Sequence, residues 1–293
     1  MKIKTILAPV DFSLRSAPEV ENAVNIARHF GARLILFHVV PSYRVVHAVY
    51  PLAARAYEQQ FEAEIRAGAA EALDDMAQEL GVGVAIETEV AGGDPASAIE
   101  QKSVTTDLDL IVMPTAGGGH FRRMMLGSVT TKVLHDLPCP VMTGVHMEDV
   151  QPAAKHPYRR IACLVDLEAD SDRILKWASD FAAAYEAPLY LLHAPPLLQT
   201  LGAAPYMPDN LLPIYIERAR EKAALLLAGA GVEAAIIIEP GEVEDALPKA
   251  VKTVAADIVV TGRRRPDGRV GLFGLRTDLT AAIRRSPCPV ISV

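Results

Sequence analysis

The chain repeats itself once, and that repetition constrains its fold more than any other feature. Ile6-Leu7-Ala8-Pro9-Val10-Asp11 is answered by Ile161-Ala162-Cys163-Leu164-Val165-Asp166. Leu34-Ile35-Leu36-Phe37-His38-Val39 is answered by Leu189-Tyr190-Leu191-Leu192-His193-Ala194. Asp109-Leu110-Ile111-Val112-Met113-Pro114 pairs with Asp257-Ile258-Val259-Val260-Thr261-Gly262, and Pro138-Cys139-Pro140-Val141 with Pro287-Cys288-Pro289-Val290. The matches keep one order through both halves, so 293 residues divide into two units of ordinary domain size. Between them, Gly144 to Pro157 carries Pro152, Pro157, charged residues and little apolar periodicity, which marks a linker with its boundary near Met147 to Lys155. The expected domains are residues 1–147 and 156–293.

Within each half, short β-branched apolar runs alternate with helical patterns, the signature of βαβ units around a parallel sheet. The runs are almost continuously apolar, as strands covered on both faces require. Val20, Ala23, Val24 and Ala27 fall at i, i+3, i+4 and i+7 and predict a core-facing helix, which Gly31 would end. Ile174, Trp177, Ala178 and Phe181 predict its counterpart. Longer helices are expected over Leu52 to Leu80 and Leu211 to Ala230. The predicted order in each copy is strand and helix in alternation, beginning and ending on a strand, with five strands and four helices.

Composition narrows the function classes. Charged residues make up 22% and hydrophobic ones 51%, as in a soluble globular chain. A net charge of −7 argues against sequence-independent nucleic-acid binding, which needs clustered Lys and Arg. The first apolar run is interrupted by Asp11 and too short for a signal-peptide core, and no stretch approaches the roughly 20 apolar residues of a membrane helix. Cys139, Cys163 and Cys288 have no metal-type spacing, and a reducing cytoplasm is the simplest setting for them. Cys139 and Cys288, each within Pro-Cys-Pro-Val, read as inert strand residues.

In open parallel sheets, ligands bind at the carboxyl ends of strands where the strand order reverses. In the first half, Pro9-Val10-Asp11, Val39 and the loop after the fourth strand should meet there. That loop runs from Met113-Pro114-Thr115 through Gly117-Gly118-Gly119-His120 to Gly127-Ser128-Val129. Consecutive glycines let backbone N–H groups approach a ligand closely. Ser128 is expected to cap the last helix, whose N-terminus is a ready anion site. His120, Arg122 and Arg123 stand beside it, with solvated surface roles as their ordinary alternative. Asp11 suits a ribose hydroxyl or an adenine amino group, since a carboxylate accepts from both; it also suits the cap of a nearby helix. The second-half loop diverges: Thr261-Gly262-Arg263-Arg264-Arg265 leads through Arg269 to Arg276-Thr277-Asp278. Arg263, Arg264, Arg265 and Arg269 read as a solvated charge run, with pairing of an anion as the alternative; Thr277 can cap the last helix, and Asp278 would compete with a phosphate for its dipole. His38 and His193 occupy matching places and read as hydrogen-bonded rim residues. The stretch from Pro195 to Pro213, with Tyr206 and Met207, is expected to cover part of the second cleft as a packed loop.

Several chemistries are absent. There is no G-x4-G-K-[ST], no G-x-G-x-x-G after the first strand, no G-x-S-x-G elbow and no His/Cys/carboxylate set with metal spacing. No acid–base pair stands out.

The ordered set resembles the universal stress protein family, whose nucleotide-binding members carry G-x2-G-x9-G-[ST] in the loop after the fourth strand. Gly117, nine intervening residues and Gly127-Ser128 match it, while Pro114 stands where the first glycine belongs. Further matches are the Pro-Val-Asp end of the first strand, the His-Val end of the second, Gly93-Asp94-Pro95-Ala96, and the closing Pro-Cys-Pro-Val. In the second half, Gly262 keeps the first glycine, but Arg265 and Arg276 replace the others. The resemblance implies adenine and ribose contacts at Val10, Asp11 and Val39, and phosphate contacts at Gly117, Gly127, Ser128 and Val129. The fold expected is α/β: two tandem three-layer α/β/α domains, pseudo-twofold related, each with a five-stranded parallel sheet of order 3-2-1-4-5. The last strands, Val141 to Val145 and Val290 to Val293, are expected to pair within the molecule, with homodimerisation of the whole chain left open. The function implied is that of a cytoplasmic stress-response protein binding ATP with Mg²⁺ in its first domain as a regulatory ligand, with protein partners that the sequence does not name. A nucleotide-free interaction scaffold and a slow ATP hydrolase are the alternatives.

Overall fold

The apolar runs form strands because helices cover both of their faces. The computed structural model describes residues 1–13, 15–41, 51–115, 126–144, 158–168, 170–195, 211–263 and 275–293, of which 51–59, 211 and 275–278 are described in backbone only. The first half runs β1 (Thr5–Pro9), α1 (Ser16–Phe30), β2 (Arg33–Val40), α2 (Pro51–Leu80), β3 (Ala85–Gly92), α3 (Pro95–Thr105), β4 (Leu110–Met113), α4 (Ser128–Asp136) and β5 (Val141–Thr143). The second runs β6 (Ile161–Leu164), α5 (Ser171–Ala184), β7 (Leu189–His193), α6 (Leu211–Ala230), β8 (Ala235–Ile238), α7 (Val243–Val254), β9 (Ile258–Thr261), α8 (Leu275–Arg285) and β10 (Val290–Ser292).

The two halves build one sheet of ten strands, ordered β3-β2-β1-β4-β5-β10-β9-β6-β7-β8. Each half keeps the expected 3-2-1-4-5 order with parallel neighbours. At the junction β5 and β10 run antiparallel, with Val290 opposite Thr143 and Ser292 opposite Val141. Two hydroxyls reinforce it reciprocally: Thr143 Oγ1 donates to the Val290 carbonyl at 3.4 Å, and Ser292 Oγ to the Val141 carbonyl at 3.1 Å. What would be two exposed edges is thereby closed within one chain.

Alternation along the strands assigns the cores. Ile6, Leu34, Leu36, Leu110 and Val112 face α1 and α2, together with Ile161, Ile258 and Val260 of the second half. Leu7, Ile35, Phe37, Ile111 and Met113 face α3 and α4, and that core continues into Val259, Val290, α7 and α8. Both cores therefore cross the junction. On the α1 side an aromatic seam adds to the contact: His29 stacks on Tyr185 at 3.9 Å, its Nε2 meets the Ala184 carbonyl at 2.9 Å, and Phe181 packs among Trp177, Tyr185, Tyr158 and Phe30. Gly31 ends α1 in the left-handed conformation at φ 63°, a position that costs a glycine little. Among the described residues no helix is long and apolar enough to cross a membrane. Residues 145–157, where the linker is expected, lie outside the described set.

Candidate functional site

A cleft opens at the carboxyl ends of β1, β2 and β4, where the strand order of the first half reverses. Its volume is about 220 Å³, and it is lined by Pro9, Val10, Asp11, Phe37, His38, Val39, Pro95, Ile99, Met113, Pro114 and the segment Gly127 to Thr130. Six of the seven residues singled out in the sequence meet there: Val10, Asp11, Val39, Gly127, Ser128 and Val129. The seventh, Gly117, lies outside the described residues, as do His120, Arg122 and Arg123. Sequence reasoning missed the α3 wall (Pro95 and Ile99), the Met113 and Phe37 side chains, and Thr130. The Gly93-Asp94-Pro95-Ala96 motif was the available signal for α3. Asp94 caps that helix by accepting from the Ser97 N–H at 2.9 Å, and these bonds hold its carboxyl below the usual range.

Asp11 is not the cap of α1, whose N-cap is Arg15; it holds the turn before that helix while it lines the cleft. Its Oδ1 accepts from Ser16 Oγ at 2.5 Å and from the Ser13 N–H at 3.0 Å, closing an Asx turn at the start of α1. Burial pushes its pKa upward, but hydrogen bonds from Ser13 and Ser16 outweigh that and leave it lowered. It is thus a carboxylate at neutral pH, able to accept from a hydroxyl or amino group. His38 is fixed as a rim residue, its Nδ1 2.7 Å from the Val10 carbonyl. Among the described lining residues, the titratable side chains are Asp11 and His38.

The other end of the cleft is a helix start. Gly127, not Ser128, is the N-cap of α4, so Ser128 is the first helical residue. The difference arises because the Gly127 carbonyl already accepts the first helical bond, from the Thr131 N–H at 2.8 Å. The Gly127 N–H is itself committed to the Thr115 carbonyl at 2.9 Å. That leaves the N–H groups of Ser128, Val129 and Thr130 without partners inside the helix, at its positive end. Thr130 Oγ1 donates to the Pro114 carbonyl at 3.0 Å and ties the end of β4 to α4. Pro114 forms part of the wall but offers no N–H. The cleft therefore combines a hydroxyl-accepting carboxylate, apolar walls and an anion-accepting helix end.

The second half keeps the scaffold and changes the loop. Asp166 Oδ1 accepts from Ser171 Oγ at 3.1 Å and from the Glu168 N–H at 2.9 Å, and His193 Nδ1 lies 2.9 Å from the Val165 carbonyl. Arg263 corrects the expectation of a solvated charge run. It is 7% exposed, and its guanidinium donates to the carbonyls of Leu134, at 3.4 Å, and Cys139 in the first half. Helix α8 begins at Leu275, two residues before Thr277, so Thr277 stands inside the helix rather than capping it. Arg264, Arg265, Arg269, Tyr206 and Met207 lie outside the described residues, and the side chains of Arg276, Thr277 and Asp278 are not described. Cys139, Cys163 and Cys288 are buried free thiols whose pKa burial raises to about 12, which keeps them in the unreactive form. Among the described residues no group of three or more His, Cys, Asp or Glu is arranged to hold a metal.

Known proteins agree with this architecture. The model of the universal stress protein family matches the chain twice, over residues 2–143 and 157–293. Universal stress protein MJ0531 of Methanocaldococcus jannaschii is 34% identical over 142 residues, 47% of this chain and 80% of that protein. A universal stress protein of Thermus aquaticus is 34% identical over 141 residues, 47% of this chain and 96% of that one. Among solved structures, a universal stress protein from Archaeoglobus fulgidus covers 100% of this chain and 98% of its own, with a TM-score of 0.67 at 21% identity, a likeness of fold. Two family matches in tandem, on two halves that fold alike, place the chain in the universal stress protein family as a two-domain member.

Proposed function

We propose that the chain acts in the stress response in the cytoplasm by binding ATP, with its Mg²⁺, in the first-domain cleft as a regulatory ligand. The observation that carries this reading is the convergence of Val10, Asp11 and Val39 with the start of α4 on one cleft. An adenosine fits its apolar walls, with a ribose hydroxyl donating to Asp11. The phosphates belong at the N–H groups of Ser128 to Thr130, at the positive end of α4. Mg²⁺ would be held by the phosphates, in keeping with a donor set of one carboxylate among the described lining residues. Calorimetric titration of Mg-ATP into wild type and Gly127→Glu tests the proposal. Saturation near one site per chain, lost in the variant, is expected, because Gly127 is buried in the cleft wall and a carboxylate there meets the phosphate end.

A second reading is the nucleotide-free scaffold, favoured by two observations. Pro114 brings no N–H to the cleft, and the Gly127 N–H is already donated to Thr115. Absence of both heat and thermal shift with wild type would establish that reading and overturn the first.

A further inference from the structure

The two ends of α4 belong to different parts of the molecule. Its first turn, Ser128 to Thr130, lines the first-domain cleft. Its last turn faces the second domain, where Arg263 donates to the Leu134 carbonyl and to the Cys139 carbonyl just beyond the helix. Arg263 is in turn anchored in its own domain by its N–H, which donates to the Val293 carbonyl at 2.8 Å beside β10. The helix is nine residues long, too short to hold its position by its own hydrogen bonds. The domain symmetry does not explain the contact. Thr115 occupies the equivalent place after β4 and is buried, but it carries no cation to send across. A cation at the C-terminal end of a helix also favours the helix dipole, and so the positive field at the opposite end.

We propose that Arg263 is a positioning residue: through it the second domain holds α4, and with α4 the anion-facing first turn of the cleft, in place. The degenerate domain is then the support of the intact one, and its contribution is made at the far end of the helix that the ligand touches. The consequence for nucleotide affinity rests on the function proposed above, whereas the positioning of α4 does not. By linkage, a ligand that fixes the first turn of α4 also strengthens the Arg263 contact by the same factor.

The test compares wild type with Arg263→Met, which keeps the chain length without the charge, and Arg263→Lys, which keeps the charge without the fork. Amide hydrogen exchange is followed in α3, α4 and α8 without nucleotide, and Mg-ATP is then titrated into each protein. In Arg263→Met, α4 is expected to exchange roughly tenfold faster while α3 and α8 keep their rates, and affinity is expected to fall about three- to tenfold. Arg263→Lys should restore part of both, and it carries the test alone if the methionine variant does not fold. Unchanged exchange in α4, or acceleration shared equally by α3 and α8, would overturn the positioning role and leave Arg263 as a fastener of the interface. Faster α4 exchange with unchanged affinity would overturn the link to the ligand. A wild type that binds no Mg-ATP would defeat the nucleotide reading, and the exchange comparison would still decide the role of Arg263.

Discussion

The strand ends of the two domains are alike where they build the scaffold and unlike where they would meet a phosphate. Asp11 and Asp166 make the same bonds to the serine that opens the next helix, and His38 and His193 meet the same carbonyl at the end of the first strand. Phe12 and Leu167 sit within these aspartate turns at φ 56° and 61°, a left-handed conformation that costs a side-chain-bearing residue about 1 kcal/mol. Both domains retain that strain, so the turn is a requirement of the fold. The differences concentrate elsewhere: Pro114-Thr115 against Gly262-Arg263, a helix starting at Ser128 against one starting at Leu275, and Glu19 against Ile174. Contacts present in both domains belong to the architecture, and a ligand role for Asp11 must show itself beyond the contact it shares with Asp166.

The largest expected effect tests whether the domains fold as one body. Phe181 is fully buried and meets Phe30 of the first domain, and its equivalent, Ile26, is fully buried as well. Phe181→Ala should cost about 4 kcal/mol and Ile26→Ala about 3 kcal/mol, read from urea unfolding. A shared core predicts a single transition in both variants. Two transitions in Phe181→Ala, with the first domain unfolding as in wild type, would separate the halves.

Glu19 supplies the next comparison. It is 8% exposed, its carboxyl lies against Gly144 at the end of β5, and Asn22 Nδ2 donates to it at 3.4 Å. Ile174 stands at the equivalent position of α5 without charge and packs against Gly262 at the end of β9. Burial raises the Glu19 pKa to about 7, from 4.5 for an exposed group. Between those values the folded chain holds a proton that the unfolded chain has released, so stability falls as pH rises through the window. The cost is complete above pH 7 and absent below 4.5. Glu19→Gln should therefore be about 3 kcal/mol more stable than wild type at pH 8, with the two converging toward pH 4.5. Parallel pH profiles for the two proteins would show that Glu19 is not the group that titrates.

Much of this was legible in the sequence because it depends on pattern. Continuous apolar runs specify buried strands, their order specifies the helices between, and the repeat specifies that whatever one half does the other does too. Strand ends in such a sheet converge by topology, which is why Val10, Val39 and Gly127 were found together. What was not legible depends on the angle of approach between elements. Arg263 looked like one of four solvated arginines, and only the antiparallel junction brings it under the last turn of α4. The N-cap of α4 was off by one residue because the Gly127 carbonyl, which the sequence does not orient, accepts the first helical bond. Pro95 and Ile99 were missed because no motif says which helix face closes a cleft.

Asp11→Ala and Asp166→Ala should each cost about 1 kcal/mol, the ordinary cost of a lost hydrogen bond, because both carboxylates accept from the serine that opens the next helix. Affinity for Mg-ATP should separate them, falling about tenfold in Asp11→Ala and remaining unchanged in Asp166→Ala. Equal loss of stability with no loss of binding in either would assign Asp11 to architecture alone.

The smallest effect concerns the two histidines. Burial lowers the His193 pKa below 6.5, against the opposing pull of its bond to Val165 and of the nearby Asp166. The folded chain therefore resists taking up a proton that the unfolded chain accepts below pH 6.5, and this contribution to stability is present above that pH and lost as pH falls through the lowered value. His193→Gln, with an amide to meet the Val165 carbonyl, should flatten that part of the profile. Imidazole resonances followed from pH 5 to 8 give the direct reading: the His193 midpoint should lie below 6.5, the value of an exposed histidine. A His193 midpoint at or above 6.5 would remove burial as its controlling influence.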